Sequence, residues 1–329
     1  MNFSVILGNL GNTRDRFVSG GYKAQQTREE MFARAASIDR VRGIELVGSW
    51  DVCPSNVRDI KALLQQHGVE LASIIPDLFS DRKWARGAFT SREAAVRSEA
   101  VSHTKEMMDV AIELGGDLVN IWAGQDGYDY LFQGNYDEAH DWSIEAIGEC
   151  ARHRPDVRIA LEYKPREPRN FCYLARSADA LLAAQEVAEG TVGVTLDVGH
   201  AFAAGENAAE AACRLMRAGR LFHLHFNDNH EKWDDDMIVG SVHTLQYAEL
   251  LFWLRKMRYD GWWSMDQYPY REDAREALSE SIEWIVALER KLEAFGFDRL
   301  EGLIRRGEAT EIAREMRGLL FAAQGPAPG

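Results

Sequence analysis

The stretch VGVTLDVGH, Val192–His200, is a short run of β-branched and apolar residues that ends in an aspartate and a histidine. A run of this length suits a strand buried on both faces. It stands in a series. On its N-terminal side come FSVILG (3–8), IELVGSW (44–50), ELASIIP (70–76), DLVNIWAG (117–124) and RIALEYKP (158–165); on its C-terminal side come LFHLHFND (221–228) and WWSMDQYP (262–269). Between the runs lie segments with apolar residues at helical spacing, such as TREEMFARAASI (27–38) and YAELLFWLRKM (247–257). Eight strands alternating with helices predict an α/β fold, a (β/α)8 TIM barrel. A doubly wound open sheet competes, but no Gly-x-Gly-x-x-Gly follows the first run. No internal repeat of 20–50 residues is visible.

The chain of 329 residues is 46% hydrophobic and 10% aromatic, enough for one large core. With 38 basic and 52 acidic residues its formal charge is −14, which disfavours phosphate backbones and anionic lipid. Neither nucleic acid nor membrane is therefore an expected partner. No run approaches the ~18–20 apolar residues of a bilayer span. The opening MNFSVILGNLGNTRDR lacks the basic and apolar blocks of a signal peptide. Cys53, Cys150, Cys172 and Cys213 form no C-x-x-C pair, so reduced thiols and a cytoplasmic location are expected. The barrel pattern predicts one catalytic domain over 1–295. Residues 296–329 predict a C-terminal helical extension with a flexible Gly/Pro end. Leu300, Leu303, Ile304, Ile312, Met316, Leu319 and Leu320 fall there at roughly helical spacing, and must cover either the barrel's own surface or a second subunit.

Barrel sites form at the carboxyl ends of the strands, and the late runs end in polar residues. The fifth offers Glu162 and Lys164, the sixth Asp197 and His200, the seventh His223, His225, Asn227 and Asp228, the eighth Asp266. Strand residues two apart share a face, so Glu162 goes with Lys164 and His223 with His225. Carboxylates and imidazoles around one axis need a compensating cation. Mixed oxygen and nitrogen donors suit Mn2+, Co2+ or Mg2+. The acidic loop NHEKWDDDMIVG (229–240) is not an EF-hand, because the glycine spacing and closing glutamate are absent.

LEYKP, then LDVGH, then HFND with DDDMIVGS, then an aspartate on the last strand, resembles the sugar isomerases of the xylose isomerase-like barrel superfamily, and most of all the rhamnose isomerase type. The resemblance runs from about Trp84 to Asp266. It implies two divalent metals, Mn2+ foremost. The first is held by Glu162, Asp197, His225 and Asp266, the second by His200, Asp234 and Asp236 with Asp197 or water. The loop NDNHEKWDDD is one residue longer than the family pattern, which leaves the register of Asp234–Asp236 open. On this basis the chain is expected to be an aldose–ketose isomerase, acting on a free monosaccharide by a metal-mediated hydride shift. Glu162, Lys164 and Asp266 are the catalytic candidates; Lys164 would donate to the developing alkoxide and Asp266 would orient water. Trp122, Lys164 and His200 are expected to touch substrate. The family also implies a homodimer or homotetramer.

Other readings stand beside this one. Lys164 could be only an ion-pair partner of Glu162, and His223 a satisfied histidine deeper in the barrel. Trp122 could be core. Trp84 and Phe89 read most simply as exposed-loop packing, Asp51 as a helix cap, and His230 and His243 as loop residues. A ketose 3-epimerase is the alternative activity; those enzymes generally use one metal and two opposed glutamates, where this chain has Asp266. A non-catalytic sugar-binding barrel would bind metal without turnover. An apurinic-site endonuclease shares the fold, but its DNA backbone is disfavoured by the charge.

Overall fold

The computed structural model describes residues 1–167 and 169–321. Eight parallel strands close into a barrel: β1 (Asn2–Ile6), β2 (Val41–Val47), β3 (Glu70–Ile75), β4 (Leu118–Trp122), β5 (Arg158–Glu162), β6 (Val192–Asp197), β7 (Leu221–Phe226) and β8 (Trp262–Met265). Each pairs with its sequence neighbour, and β1 closes on β8 through Asn2–Trp262 to Val5–Met265. The eight strands fall on the eight predicted runs. The barrel is the predicted fold.

Helices α1 (Arg28–Ala36), α2 (Val57–His67), α3 (Ala94–Leu114), α4 (Tyr136–His153), α5 (Ser177–Glu186), α6 (Val198–Ala203), α7 (Ala208–Arg217), α8 (Thr244–Lys256) and α9 (Ala274–Phe295) follow the strands. Their ends are set by local chemistry. Thr27 and Glu30 form a reciprocal capping box at α1, and Gly68 and Gly115 take the left-handed turn that ends α2 and α3. No described helix is long and apolar enough to cross a membrane. All four cysteines are free.

The outer faces of the strands pack on the helices through residues such as Val5, Ile44, Ile159, Val194 and Leu224. The lumen differs. Asn120 on β4 accepts from Thr195 on β6 at 2.6 Å, and His225 on β7 bonds Glu45 on β2 at 3.4 Å. Strands two and seven are not neighbours, so that second contact crosses the barrel. Buried polar groups are ordinarily partnered; these bonds partner some of the lumen groups directly beneath the strand ends, while Ser4 Oγ, Ser264 Oγ and His225 Nδ1 are left without a well-aligned hydrogen bond.

The extension continues as α10 (Phe297–Arg306) and α11 (Ala309–Phe321). Phe297 stacks on Phe252 of α8 at 5.8 Å, and Leu300, Leu303 and Leu319 are buried. Lys291 of α9 donates to the carbonyls of Leu319 and Leu320. These helices thus cover part of the barrel's own surface, while Ile304 and Phe321 stay exposed. The expected flexible end, 322–329, lies outside the described residues.

Candidate metal centre

Glu162, the last residue of β5, and Asp197, the last of β6, meet His225 and Asp266 at the carboxyl mouth of the barrel. One ligand atom from each lies within 4.8 Å of all the others. His225 Nδ1 stands 3.1 Å from Asp266, 3.5 Å from Glu162 and 3.8 Å from Asp197. The first three residues are buried, and Asp266 is half-buried at the cavity side.

Their orientation is built from two asparagines: Asn227, which the sequence marks as a strand-end residue, and Asn120, which sequence reasoning missed. Asn120 Nδ2 donates to Glu162 at 2.6 Å and is itself held by Thr195. Asn227 Nδ2 donates to both oxygens of Asp197, at 3.2 and 3.0 Å. Gly199 makes room for that amide, since a Cβ there would stand 1.8 Å from Asn227 Oδ1. Asp197 also caps α6, accepting from the backbone N–H of His200 at 2.7 Å. His200 therefore sits in the first turn of a short helix, not at a strand end as expected.

The acidic loop is pinned by Asp228. Its carboxylate accepts from the N–H groups of Val242 and His243 and lies 2.7 Å from His243 Nδ1, while its backbone pairs with Met237. This decides which of the three loop aspartates face the cavity. Asp234 and Asp236 line the cavity, and Asp235 turns away to accept from the N–H of His230. Asp236 takes a left-handed φ of 50°, which aspartate tolerates. Asp234 Oδ2 lies 3.1 Å from His200 Nε2 and 2.6 Å from Lys164 Nζ. His200, Asp234 and Asp236 do not form as tight a set as the first four. Among the described residues only two groups converge so closely, Glu162–Asp197–His225–Asp266 and Glu45–His223–His225. Lys164 Nζ is already paired with Asp234 Oδ2.

Lys164 pairs with Asp234 and Glu167, not with Glu162 as the simpler reading had it. His223 lies deeper, with Nε2 3.0 Å from Glu45. His243 stacks on Phe202, and His230 is exposed. Trp122 lines the cavity, with Lys164 Nζ 5.0 Å from its ring and Phe79 4.7 Å away. Trp84 and Phe89 are buried, not exposed-loop residues, because their loop folds back under the Asp126 carboxylate, which accepts from Ala88 and Thr90. Asp51 does not cap α2, whose N-cap is Asn56; it accepts from the N–H of Val47 at 2.9 Å within the turn after β2. Glu45 could have been noticed as a charge inside an apolar run. Asn227 is visible as a polar strand-end residue, whereas Asn120 carries no such signal.

The electrostatics show how acidic the centre is. Burial pushes Asp197 up to about 7, reinforced by Asp234, Glu162 and Asp266. Burial and the Asp234 and Asp266 charges push Asp236 well above the carboxylate range. Burial alone would raise Glu162, but His225, His200 and Asn120 bring it down to about 2. Burial would likewise lower His200, yet Asp197 and Asp234 lift it to about 9, and Glu162 and Glu45 lift His225 well above its ordinary value. Against its own burial, Lys164 is held charged by Asp234, Glu167 and Asp236. The protein alone thus balances its carboxylates with protons on imidazole and acid. A divalent cation held by four oxygen and nitrogen donors would serve the same purpose. His225 Nδ1, His200 Nδ1 and Asp234 Oδ1 are buried without a well-aligned hydrogen bond, so the donors fit that group.

These residues surround a cavity of about 260 Å³ walled by Trp50, Phe79, Trp122, Trp233, Tyr268 and Tyr270. A carboxylate floor under aromatic walls matches a small polar molecule with apolar faces. A larger hollow, of about 750 Å³ and lined by Arg86, Arg92, Trp142 and Arg169, lies beside the mouth and contains none of the four converging ligands.

Comparison with known proteins agrees with this geometry. A family model described as the xylose isomerase-like TIM barrel matches residues 32–288. The xylose isomerase of Thermus thermophilus is 30% identical over 228 residues, 68% of this chain and 59% of that protein. The match thus spans about three-fifths of that relative's length. Among solved structures, a D-tagatose 3-epimerase-like protein superposes with a TM-score of 0.67 at 21% identity, covering 88% of this chain and 99% of that one. The D-allulose 3-epimerase of Methylomonas sp., in complex with D-allulose, gives 0.69 at 17% identity, covering 87% and 96%. At these identities the likeness is one of fold. The chain belongs to the xylose isomerase-like TIM barrel family.

Proposed function

We propose that this protein is a divalent-metal-dependent aldose–ketose isomerase that interconverts an unphosphorylated monosaccharide by a metal-mediated hydride shift. The observation that carries the reading is the convergence of Glu162, Asp197, His225 and Asp266 within 4.8 Å, at the end of a cavity that also holds Lys164, His200, Asp234 and Asp236. The first four residues would hold one ion. His200, Asp234 and Asp236 would hold a second, with Lys164 releasing Asp234. Mn2+ suits the mixed donors best, with Co2+ and Mg2+ as alternatives. Such an ion, when bound, polarises a sugar carbonyl as a Lewis acid.

The chain's own residues supply the rest. Trp122 and the other aromatic walls take the carbon face of an open-chain sugar. His200 and Asp234 offer a donor and an acceptor to its hydroxyls. Lys164, kept charged at the cavity wall, donates to the oxygen at C1 as negative charge builds there, while a hydride passes between C1 and C2. Asp266, the most exposed of the four ligands, would orient the water that takes the proton from the C2 hydroxyl and returns one to the oxygen at C1. The barrel acts in the cytoplasm in this reading, in keeping with its four free thiols, and assembles as a homodimer or homotetramer.

The second reading is a ketose 3-epimerase, favoured by the epimerase fold neighbours. Two observations weigh against it. Asp266 lies against His225 and has a shorter arm than the glutamate that epimerases generally carry on this strand, and the Lys164–Asp234–Asp236 cluster has no task in a one-metal epimerase. The test is a chromatographic screen of aldoses and ketoses with Mn2+, beside an EDTA-treated control, repeated in D2O. Turnover between aldose and ketose with little deuterium at the transferred carbon is expected. Inversion at C3 with extensive deuterium there would move the assignment to the epimerase. Metal binding with no turnover of any sugar would leave a sugar-binding barrel.

A further inference from the structure

Glu45 is a carboxylate in the middle of β2, completely buried in the lumen, and the proposed chemistry does not use it. Its Oε2 accepts from Ser73 Oγ and is bonded to His225 Nε2 at 3.4 Å. Its Oε1 lies 3.3 Å from the same Nε2 and 3.0 Å from His223 Nε2. The other nitrogen of His225, Nδ1, faces Asp266, Glu162 and Asp197. The ring thus spans two layers: among the described residues, one nitrogen faces the Glu45 carboxylate and the other faces the upper ligand set.

A carboxylate accepts hydrogen bonds and cannot donate them. When a cation takes the place of the proton on Nδ1, the ring keeps a single proton, and the nitrogen against Glu45 must carry it, which leaves the Nδ1 lone pair to the cation. A neutral imidazole with the opposite tautomer would aim an N–H at that cation. Outer carboxylates of this kind fix the tautomer and raise the basicity of the ligand they touch. Packing alone does not account for Glu45, since a buried charge is costly and an apolar residue would fill the lumen as well. The group Glu45–His223–His225 also converges within 4.8 Å, but a cation there together with one in the upper site would require His225 to give up both nitrogens.

We infer that Glu45 is a positioning residue, supported by Ser73 and His223, that sets the tautomer and angle of His225 and so controls the affinity of the upper site for a divalent ion. The inference rests on the reading that Glu162, Asp197, His225 and Asp266 hold that ion. The test is calorimetric titration of the full chain with Mn2+, comparing wild type, Glu45→Gln and Glu45→Asp, each checked for fold by circular dichroism. Glu45→Gln should weaken Mn2+ by about 10–100-fold, and Glu45→Asp, which keeps the charge but withdraws it, by less. A second measurement needs no variant. In 15N-histidine-labelled wild type saturated with Mg2+, the ring proton of His225 should be bonded to Nε2. Wild-type affinity in Glu45→Gln, or a proton on Nδ1, would overturn the inference alone. An extra ion that only Glu45→Gln loses would overturn it by making Glu45 a ligand. Absence of any Mn2+ binding by the wild type would overturn both this inference and the ligand set on which it stands.

Discussion

Lys164 Nζ stands 2.6 Å from Asp234 Oδ2, so a lysine just past the end of β5 is held by an aspartate in the loop that follows β7. That pairing gives the one buried lysine of the cavity a fixed position and a fixed charge. It also ties the proposed donor to the loop that carries the second set of acidic ligands. A substitution at either residue therefore tests chemistry and loop order together.

Lys164→Met should leave the fold and Mn2+ binding at the Glu162 site in place but lower kcat by ~10²-fold or more, since it removes a donor to the oxygen that gains charge. Steady-state kinetics with the sugar found by the screen, beside a calorimetric Mn2+ titration, measures both. An unchanged kcat would return Lys164 to the role of ion-pair partner for Asp234 and Glu167.

Two ions per chain should be found by elemental analysis after equilibration with Mn2+. Asp236→Asn should leave one, and Glu162→Gln should weaken the other. Binding only to the folded state also stabilises it, by about 2.7 kcal/mol at an ion concentration 100 times Kd. EDTA should therefore lower Tm, and the EDTA-induced drop should shrink in Glu162→Gln. One ion in the wild type, with Asp236→Asn unaltered, would remove the second site and favour the epimerase.

Asp51 offers a test away from the metal ligands. Burial raises its carboxyl to about 6, against the opposing hydrogen bond from Val47. A raised folded-state value means the folded chain holds the proton more tightly than the unfolded chain does. The stability this contributes is complete below about pH 3.8, the ordinary value, and is lost as pH rises through about 6. Asp51→Asn should remove that decline and stabilise the protein at pH 7–8 by about 1–3 kcal/mol. Urea unfolding at pH 4, 6 and 8 would show it; parallel wild-type and variant profiles would refute it.

The C-terminal helices supply the last prediction. Because Phe297, Leu300, Leu303 and Leu319 pack against the chain's own barrel, deletion from Gly296 onward should expose Phe252 and lower Tm. Light scattering of the intact and shortened chains separates this from assembly. A dimer or tetramer is expected for both. A shortened chain of unchanged Tm that becomes monomeric would assign the helices to a subunit interface.

Much of this site was legible before any fold was known. RIALEYKP, VGVTLDVGH and LFHLHFND are short runs whose polar residues fall at their carboxyl ends, and a parallel barrel gathers all such ends at one mouth. That local grammar, with WWSMDQYP, brought the strand-end residues into view, and the family resemblance drew Glu162, Asp197, His225 and Asp266 from them as one set. The acidic loop was less legible. Asp234, Asp235 and Asp236 are equivalent as letters, and the pairing of Asp228 with Met237, together with the turn of Asp235 toward His230, separates them.

What the sequence determined by itself is what depends on neighbours along the chain: strand and helix alternation, which residues end each strand, and which side chains two apart share a face. What only the tertiary structure decided is what depends on closure of the barrel. Glu45 meets His225 across the lumen, Asn227 reaches Asp197 past the bare Cα of Gly199, and Lys164 pairs with Asp234 and not with nearby Glu162. Each joins residues from different strands or loops, and the distances between such residues exist only once every strand has its neighbour. Buried polar groups must then find partners within the space that closure leaves them.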